Sequence, residues 1–561
     1  MKHIYAIASA ALLCGAAQAE TVTLETAGTL SSLISADQKY SITELTLAGP
    51  VNGSDIAFLR DMMGVNIENN ATEGKLAVLD MSGATIVAGG DAYLADYAKD
   101  VEFKVTEDNV MPHQAFSKLT ALTTLSLPTS ATVIGDSLCF QCKALTSVVI
   151  PEGVTTIGNK AFESCGLTSV TVPNSVTTYG ANIFRRCGSL TEAVIPAALT
   201  EIPEGMFCNT GLTAVPWPAA CTKVGESAFE STDITELVVP EGVTELGTDA
   251  FGSCSDLASV TLPSTLTTIG ENAFEFCSSI SSIVFPESAT SIGTQAFYFC
   301  QSLETAQLPS KLEVIPERLF GNCFSLSTVN VPEGLKVIGD GAFNNCYITS
   351  FALAEGLESI GEDAFCDSQL CGDIVVPSTV TAIGARAFSG TQITSIVLPD
   401  GVSEIGEGTF NMCPQLTSIV FPEGVTSIGE QCCAWCDQLQ SVSLPSTLTD
   451  LGFYSFSGCS MLNEVTSYAT TPATVGSNFG MQAAFMGISE EAVLRVPNGC
   501  IDAYSTADGW SGFASIVEME VVGIRAISEA AKAPAACYDL QGRRTSALGF
   551  YFQDGRKCIV K

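Results

Sequence analysis

Apolar and polar positions alternate along this chain in a unit that returns every 22 or 23 residues. The stretch Leu145-Thr146-Ser147-Val148-Val149-Ile150 alternates at period two and stops at Pro151. That is the pattern of a short strand ended by a residue without an N–H. The phrase Ile157-Gly158-Asn159-Lys160-Ala161-Phe162 follows, and it recurs as Leu246-Gly247-Thr248-Asp249-Ala250-Phe251 and as Ile338-Gly339-Asp340-Gly341-Ala342-Phe343. Its phenylalanine marks each unit: Phe116, Phe140, Phe162, Phe184, Phe207, Phe229, Phe251, Phe274, Phe297, Phe320, Phe343, Phe365, Phe388, Phe410 and Phe456, with Cys433 in the marker place between the last two. The strand-ending proline recurs from Pro128 to Pro445, with Ala354 as an exception. The phrase's glycine is expected to supply a bend, and Pro203 and Pro316 replace it in two turns, whose bends should differ.

Such constancy predicts a solenoid with one unit per turn, because one turn alone cannot bury its apolar side and a stack can. The strands should form a parallel ladder about 4.8 Å apart. The A-F-x-x-C part has three-to-four spacing and is expected to make one helical turn.

The I-G-x-x-A-F-x-x-C and L-x-x-L-x-L-P elements, repeated from Phe116 to Phe456, resemble the BspA-like leucine-rich-repeat family of Bacteroidetes surface proteins. The opening runs Ile42 to Gly49, Ile56 to Arg60 and Leu79 to Ser82 are similar to that family too, as is the closing set Leu494-Arg495-Val496-Pro497, Tyr504, Trp510 and Phe513. The resemblance implies a leucine-rich-repeat solenoid, mostly short parallel strands with short helical or irregular convex segments. It also implies an adhesin that binds host matrix proteins or other bacteria. The expected organisation is a signal peptide at 1–19, an N-terminal cap at 20–100, repeats at 101–465, a terminal repeat and cap at 466–522, and a linker with a C-terminal hairpin at 523–561. The tail segments Tyr538 to Arg544 and Gly549 to Phe552 resemble half of a type IX secretion sorting domain; the plain alternative is a small capping hairpin.

Charge narrows the function. The 561 residues carry 24 Lys and Arg against 60 Asp and Glu, a net charge of −36. That field opposes nucleic-acid binding. The start Met1-Lys2-His3, the apolar run Ile4 to Gly15 and Ala17-Gln18-Ala19 read as a secretory signal cut after Ala19, and no other stretch is long and apolar enough to span a membrane. The protein is therefore expected to be secreted or on the cell surface.

Candidate chemistry is sparse. His3 and His113 are the two histidines, so a nucleophile–base pair or a histidine metal site is not expected. Cys165, Cys187, Cys254, Cys277, Cys300, Cys323, Cys346, Cys413, Cys436 and Cys459 each lie three places after a marker, which predicts a buried reduced ladder. The spacing of Cys432, Cys433 and Cys436 lacks a second ligand pair, and a local Cys366–Cys371 bridge stays open. Carboxylates such as Glu241, Glu287 and Glu423 follow the strand prolines, and Asp136, Asp340 and Glu430 follow the glycines. They predict solvated edges, with loose Ca²⁺ binding as the alternative. We expect no catalytic residue, no metal, no cofactor and no enzyme activity.

The outward strand positions remain. Four places before the prolines lie mostly Ser and Thr, and two places before lie Val149, Thr171, Val194, Val238, Thr261, Val284, Gln307, Asn330, Val375, Val397 and Val420. The strands should present a concave, flat and nearly uncharged strip for a protein partner, with an extracellular glycan as the alternative. No aromatic residue stands in the strip, which lowers the glycan reading.

Overall fold

The computed structural model describes residues 18–96, 101–478, 481–510 and 512–519, and the tail strands Phe550–Gln553 and Arg556–Ile559. The expected signal segment up to residue 17, and most of the tail, lie outside the described residues. The chain divides into two compact units, Met1–Glu518 and Met519–Lys561. In the second, the two strands pair antiparallel from Phe550 opposite Ile559 to Gln553 opposite Arg556.

The first unit is a solenoid held by two parallel ladders. Strands of about three residues, such as Ser169–Thr171 and Glu192–Val194, pair in register one turn apart: Ser169 with Glu192, Val170 with Ala193, Thr171 with Val194. Two-residue strands such as Val133–Ile134, Thr156–Ile157 and Thr178–Tyr179 form the second ladder. The opening strands Ala19–Thr23, Glu44–Val51 and Val78–Ile86 join the first ladder directly, and Val493–Val496 and Ser515–Glu518 extend it at the far end.

The expected helical turn does not form. Between the two-residue strand and the cysteine, alternate N–H groups reach across to the next turn instead. Lys160 N–H donates to Ala181 O at 2.9 Å, Phe162 N–H to Ile183 O at 3.0 Å and Ser164 N–H to Arg185 O at 2.8 Å. Lys160 and Ser164 take left-handed φ values of 55° and 61° to make this possible. A helix would consume these donors within its own turn; the stack needs them between turns.

Phenylalanines fill the core as a column. Phe162 and Phe184 stack at 5.8 Å between centroids, Phe229 and Phe251 at 5.4 Å, and Phe388 and Phe410 at 6.0 Å. Such offset stacking adds to area burial. One marker moves. Cys139 and not Phe140 occupies the column: its N–H donates to Ala161 O at 2.8 Å, as Phe162's does to Ile183 O, and it is buried while Phe140 is half-buried. The spacing from Phe116 to Phe162 then divides evenly, and Cys142 joins the cysteine ladder.

The glycine after the two-residue strand is required by closeness. Gly158, Gly180 and Gly293 do not have left-handed φ, but a Cβ on Gly293 would lie 2.3 Å from Glu271 N, and one on Gly180 2.3 Å from Asn159 N. Pro203 keeps the same path: Gly225 N–H still donates to Ile202 O at 2.9 Å. What differs is that proline brings no N–H to the preceding turn.

The ends are closed by side chains. Helix Gly53–Met62 carries buried Arg60, whose Nη1 donates to Ala115 O at 2.9 Å and Nη2 to Asn69 Oδ1 at 3.0 Å. At the other end Phe485 stacks on Phe456 at 5.4 Å and meets Trp510 at 5.3 Å. The column therefore has one more member than the 22- to 23-residue spacing revealed.

Gly293→Ala should lower unfolding stability by about 2 kcal/mol through overpacking. Gly188→Ala, where a Cβ meets nothing within 4 Å, should stay within roughly 0.5 kcal/mol of the parent. Urea midpoints of the two variants check this; equal midpoints would remove close approach as the reason for the glycine.

Candidate binding surface

The first ladder places the outward residues where the alternation put them. Val149, Val194, Val238, Val284, Val375 and Val397 are each more than half exposed, and Val420 is 49% exposed. Thr171, Thr261, Gln307 and Asn330 are exposed as well. Pairing brings Val375, Val397 and Val420 side by side in one seven-stranded sheet, continued by Ser443, Thr466 and Arg495. Thr171 pairs with Val194, Val238 with Thr261, and Val284 with Gln307 in shorter sheets.

Three features depart from the expected even, uncharged strip. Besides gaps between Ser147–Val149 and Ser169–Thr171 and between Ser259–Thr261 and Ser282–Val284, the hydrogen-bonded row is interrupted where Val215-Pro216-Trp217-Pro218 forms no strand, since two prolines there bring no N–H, and again between Thr328–Val329 and Cys371–Val375. Asn330 lies at this second break. Its Oδ1 accepts from Leu308 N at 2.6 Å and its Nδ2 donates to Leu308 O at 3.0 Å, so its amide replaces ladder bonds and is occupied. Charge is also present beside the valines. Glu192, Glu236, Asp373 and Glu464 stand at the neighbouring outward position, and Arg495 pairs with Glu464 at 3.3 Å. Ser395 Oγ and Thr394 Oγ1 donate to Asp373 at 2.6 and 2.8 Å, which holds its carboxyl below the usual range.

The edge carboxylates act between turns. Glu241 accepts from Ser264 N and Oγ, Glu287 from Ser310 and Glu423 from Ser446, one turn further on each time. Ser264 N–H is the main reason that Glu241 sits below its ordinary pKa. Asp136 and Asp340 accept from Asn159 N and Glu362 N, each at 2.8 Å. No cluster of His, Cys, Asp or Glu suited to a metal ion occurs among the described residues. His113 Nδ1 accepts from Asp136 N at 2.9 Å, so the imidazole also serves the stack.

The cysteines form the expected ladder and show why they repeat. Each thiol donates to a carbonyl one turn back: Cys187 to Phe162 O at 3.1 Å, Cys277 to Phe251 O at 3.1 Å and Cys346 to Phe320 O at 3.1 Å. Where cysteine is missing, Thr210, Thr232 and Thr391 donate Oγ1 to the phenylalanine carbonyl of their own turn. Cys366 and Cys371 are both free, the first buried and the second exposed. Burial pushes the Cys187 and Cys366 thiols up to about 12.

An exposed ladder surface on a continuously stacked core defines a leucine-rich-repeat solenoid. The model of the BspA-type leucine-rich repeat region matches residues 109–234, 222–349 and 336–463, and the chain belongs to that family. Among solved structures it is similar to a leucine-rich repeat protein from Bacteroides ovatus, at 24% identity over 64% of this chain and 76% of that one, with a TM-score of 0.34. A leucine-rich cell surface protein from Faecalibacterium prausnitzii is 24% identical over 61% of this chain and 87% of that one, with a TM-score of 0.36. The pneumococcal vaccine antigen PcpA is 14% identical over 77% and 88%, with a TM-score of 0.30. No curated protein matches the chain. No helix among the described residues is long and apolar enough to cross a membrane.

Because the thiolate is the reactive form, alkylation of the native protein should reach Cys371 first among the described thiols, then half-buried Cys500. Cys277 and Cys300 should react only after denaturation. Peptide mapping of a labelling time course reads this directly; native labelling of Cys277 at the rate of Cys371 would contradict the buried ladder.

Proposed function

We infer that the protein is a secreted or cell-surface binding protein, an adhesin that recognises a protein partner through the face of the longer strands. The observation carrying this reading is the set of exposed valines on the longer strands, of which Val375, Val397 and Val420 stand side by side in one sheet. A β-branched side chain half open to water gains little in the monomer beyond ladder propensity. Repeated at strand spacing, such side chains offer a rigid apolar strip whose burial would drive association. Rigidity favours binding, because a strip already ordered by the main chain loses little freedom on contact. The carboxylates beside the strip and the net charge of −36 favour a partner with a basic rim around an apolar patch, and oppose polyanions.

The double variant Val397→Arg, Val420→Arg should fold normally, since both side chains already face water. It should lose roughly tenfold or more in affinity for an immobilised extracellular-matrix protein that the parent binds. Unchanged affinity would remove the strip from the binding reading. Placement outside the cell, a cut after Ala19 and a sorting role for the tail belong to the same proposal. Surface protease shaving of source cells should release the full-length protein, with its mature N-terminus at Glu20, and leave a form lacking residues 523–561 behind in the periplasm. Equal shaving of both forms would reduce the tail to a cap.

A further inference from the structure

A second surface feature lies outside the strand face. Each turn carries a left-handed residue two places after the column position, where Asn, Ser and Gly are the natural occupants. Asn209, Ser231, Ser253, Asn322, Asn345 and Gly390 fit that rule. Phe276, Phe299, Met412 and Trp435 depart from it, with φ of 58°, 59°, 55° and 60°; Trp435 is the largest of them, and 57% of its surface is exposed. The indole therefore sits on a backbone that disfavours bulky side chains, and it gains little burial there.

Its surroundings form a half-open depression in the surface. Trp435 borders a cavity of about 690 Å³ together with Gln431, Asp437, Tyr454, Ser460 and Met486. That volume lies in the usual range for ligand pockets, which are apolar with a few polar groups. Gly458 follows Trp435 in the next turn, and a Cβ there would lie 2.5 Å from the indole ring. The ring thus rests on a glycine backbone on one side. Around it stand the Gln431 amide, whose Oε1 accepts from Asn411 Nδ2 at 3.4 Å, and the exposed Asp437 carboxylate. An aromatic plate bordered by an amide, a carboxylate and hydroxyls suits a ligand with one apolar C–H face and a hydroxylated edge.

We propose that the Trp435 cavity binds a neutral pyranose, with the sugar's C–H face on the indole and its hydroxyls bonded to Asp437 and Gln431. The strongly negative chain selects against sulfated or uronic-acid glycans, so the ligand is an uncharged hexose unit of an oligosaccharide. This site is separate from the valine strip, and it supplies the exposed aromatic that the outward strand positions lack.

The test uses the full-length protein and a panel of neutral gluco-, galacto- and manno-oligosaccharides, with a heparin oligosaccharide as the polyanion. Binding is read by calorimetry and by protection of tryptophan fluorescence from acrylamide. Trp510 is buried at 2% exposure and Trp217 is half-buried, so the protected signal reports mainly on Trp435. At least one neutral oligosaccharide should bind and heparin should not. Trp435→Ala should weaken that binding tenfold or more, Trp435→Phe should keep most of it, and Val397→Arg, Val420→Arg should leave it unchanged. Melting curves of the Trp435 variants should match the parent's. Failure of every neutral sugar to bind, preference for heparin, or equal sugar binding by Trp435→Ala would each overturn the proposal.

Discussion

The rise per turn governs this molecule. Parallel main-chain pairing sets neighbouring strands about 4.8 Å apart, and every other group must work at that spacing. Phenylalanine rings offset slightly to stack at 5.0 to 6.2 Å along the column. Where glycine fills the bend, a Cβ would press on the turn before it, as at Gly180 and Gly293, and proline takes the place in only two turns. The thiol reaches back to a carbonyl of the previous turn, which explains a small, buried, weakly donating side chain at that place. Even the segment between the two-residue strand and the cysteine gives up helical bonding to keep its N–H groups on the ladder.

Period and strand were legible in the sequence because they rest on local signals. Alternation ends at a proline, and the unit length returns. The sideways-bonded turn is not legible in the sequence, because spacing at three and four is shared by helices and by tight turns that bond sideways; only the destination of the N–H groups separates them. Phe140 was misassigned by one place because a phenylalanine stood next to the true column residue, Cys139. Phe485 was missed because a longer final turn broke the count.

The surface was legible in part. Period two placed the valines outward, and solvent exposure agrees. The interruptions were harder to see, because they depend on which N–H is absent at Pro216 and Pro218 and on an asparagine that imitates the backbone. The Trp435 cavity left no signal in the strand pattern: its residues come from the turn segments, and only stacking brings Gln431, Tyr454 and Met486 together. The repeat register offers a weaker clue, a tryptophan two places after the column position, a place that Phe276, Phe299 and Met412 share in other turns.

Division of labour follows from the same rise. Groups that recur along the stack, the phenylalanine, the thiol and the post-proline carboxylate, are used up by contacts between turns: Glu241 holds Ser264 and Cys277 holds Phe251. They are therefore poor candidates for binding anything else. On the proposed reading, specificity comes from side chains that face water and make no hydrogen bond to the next turn. The outward valines and the left-handed Trp435 satisfy that condition and Asn330 does not, so on the proposed reading recognition falls to side chains whose bonds the stack does not use.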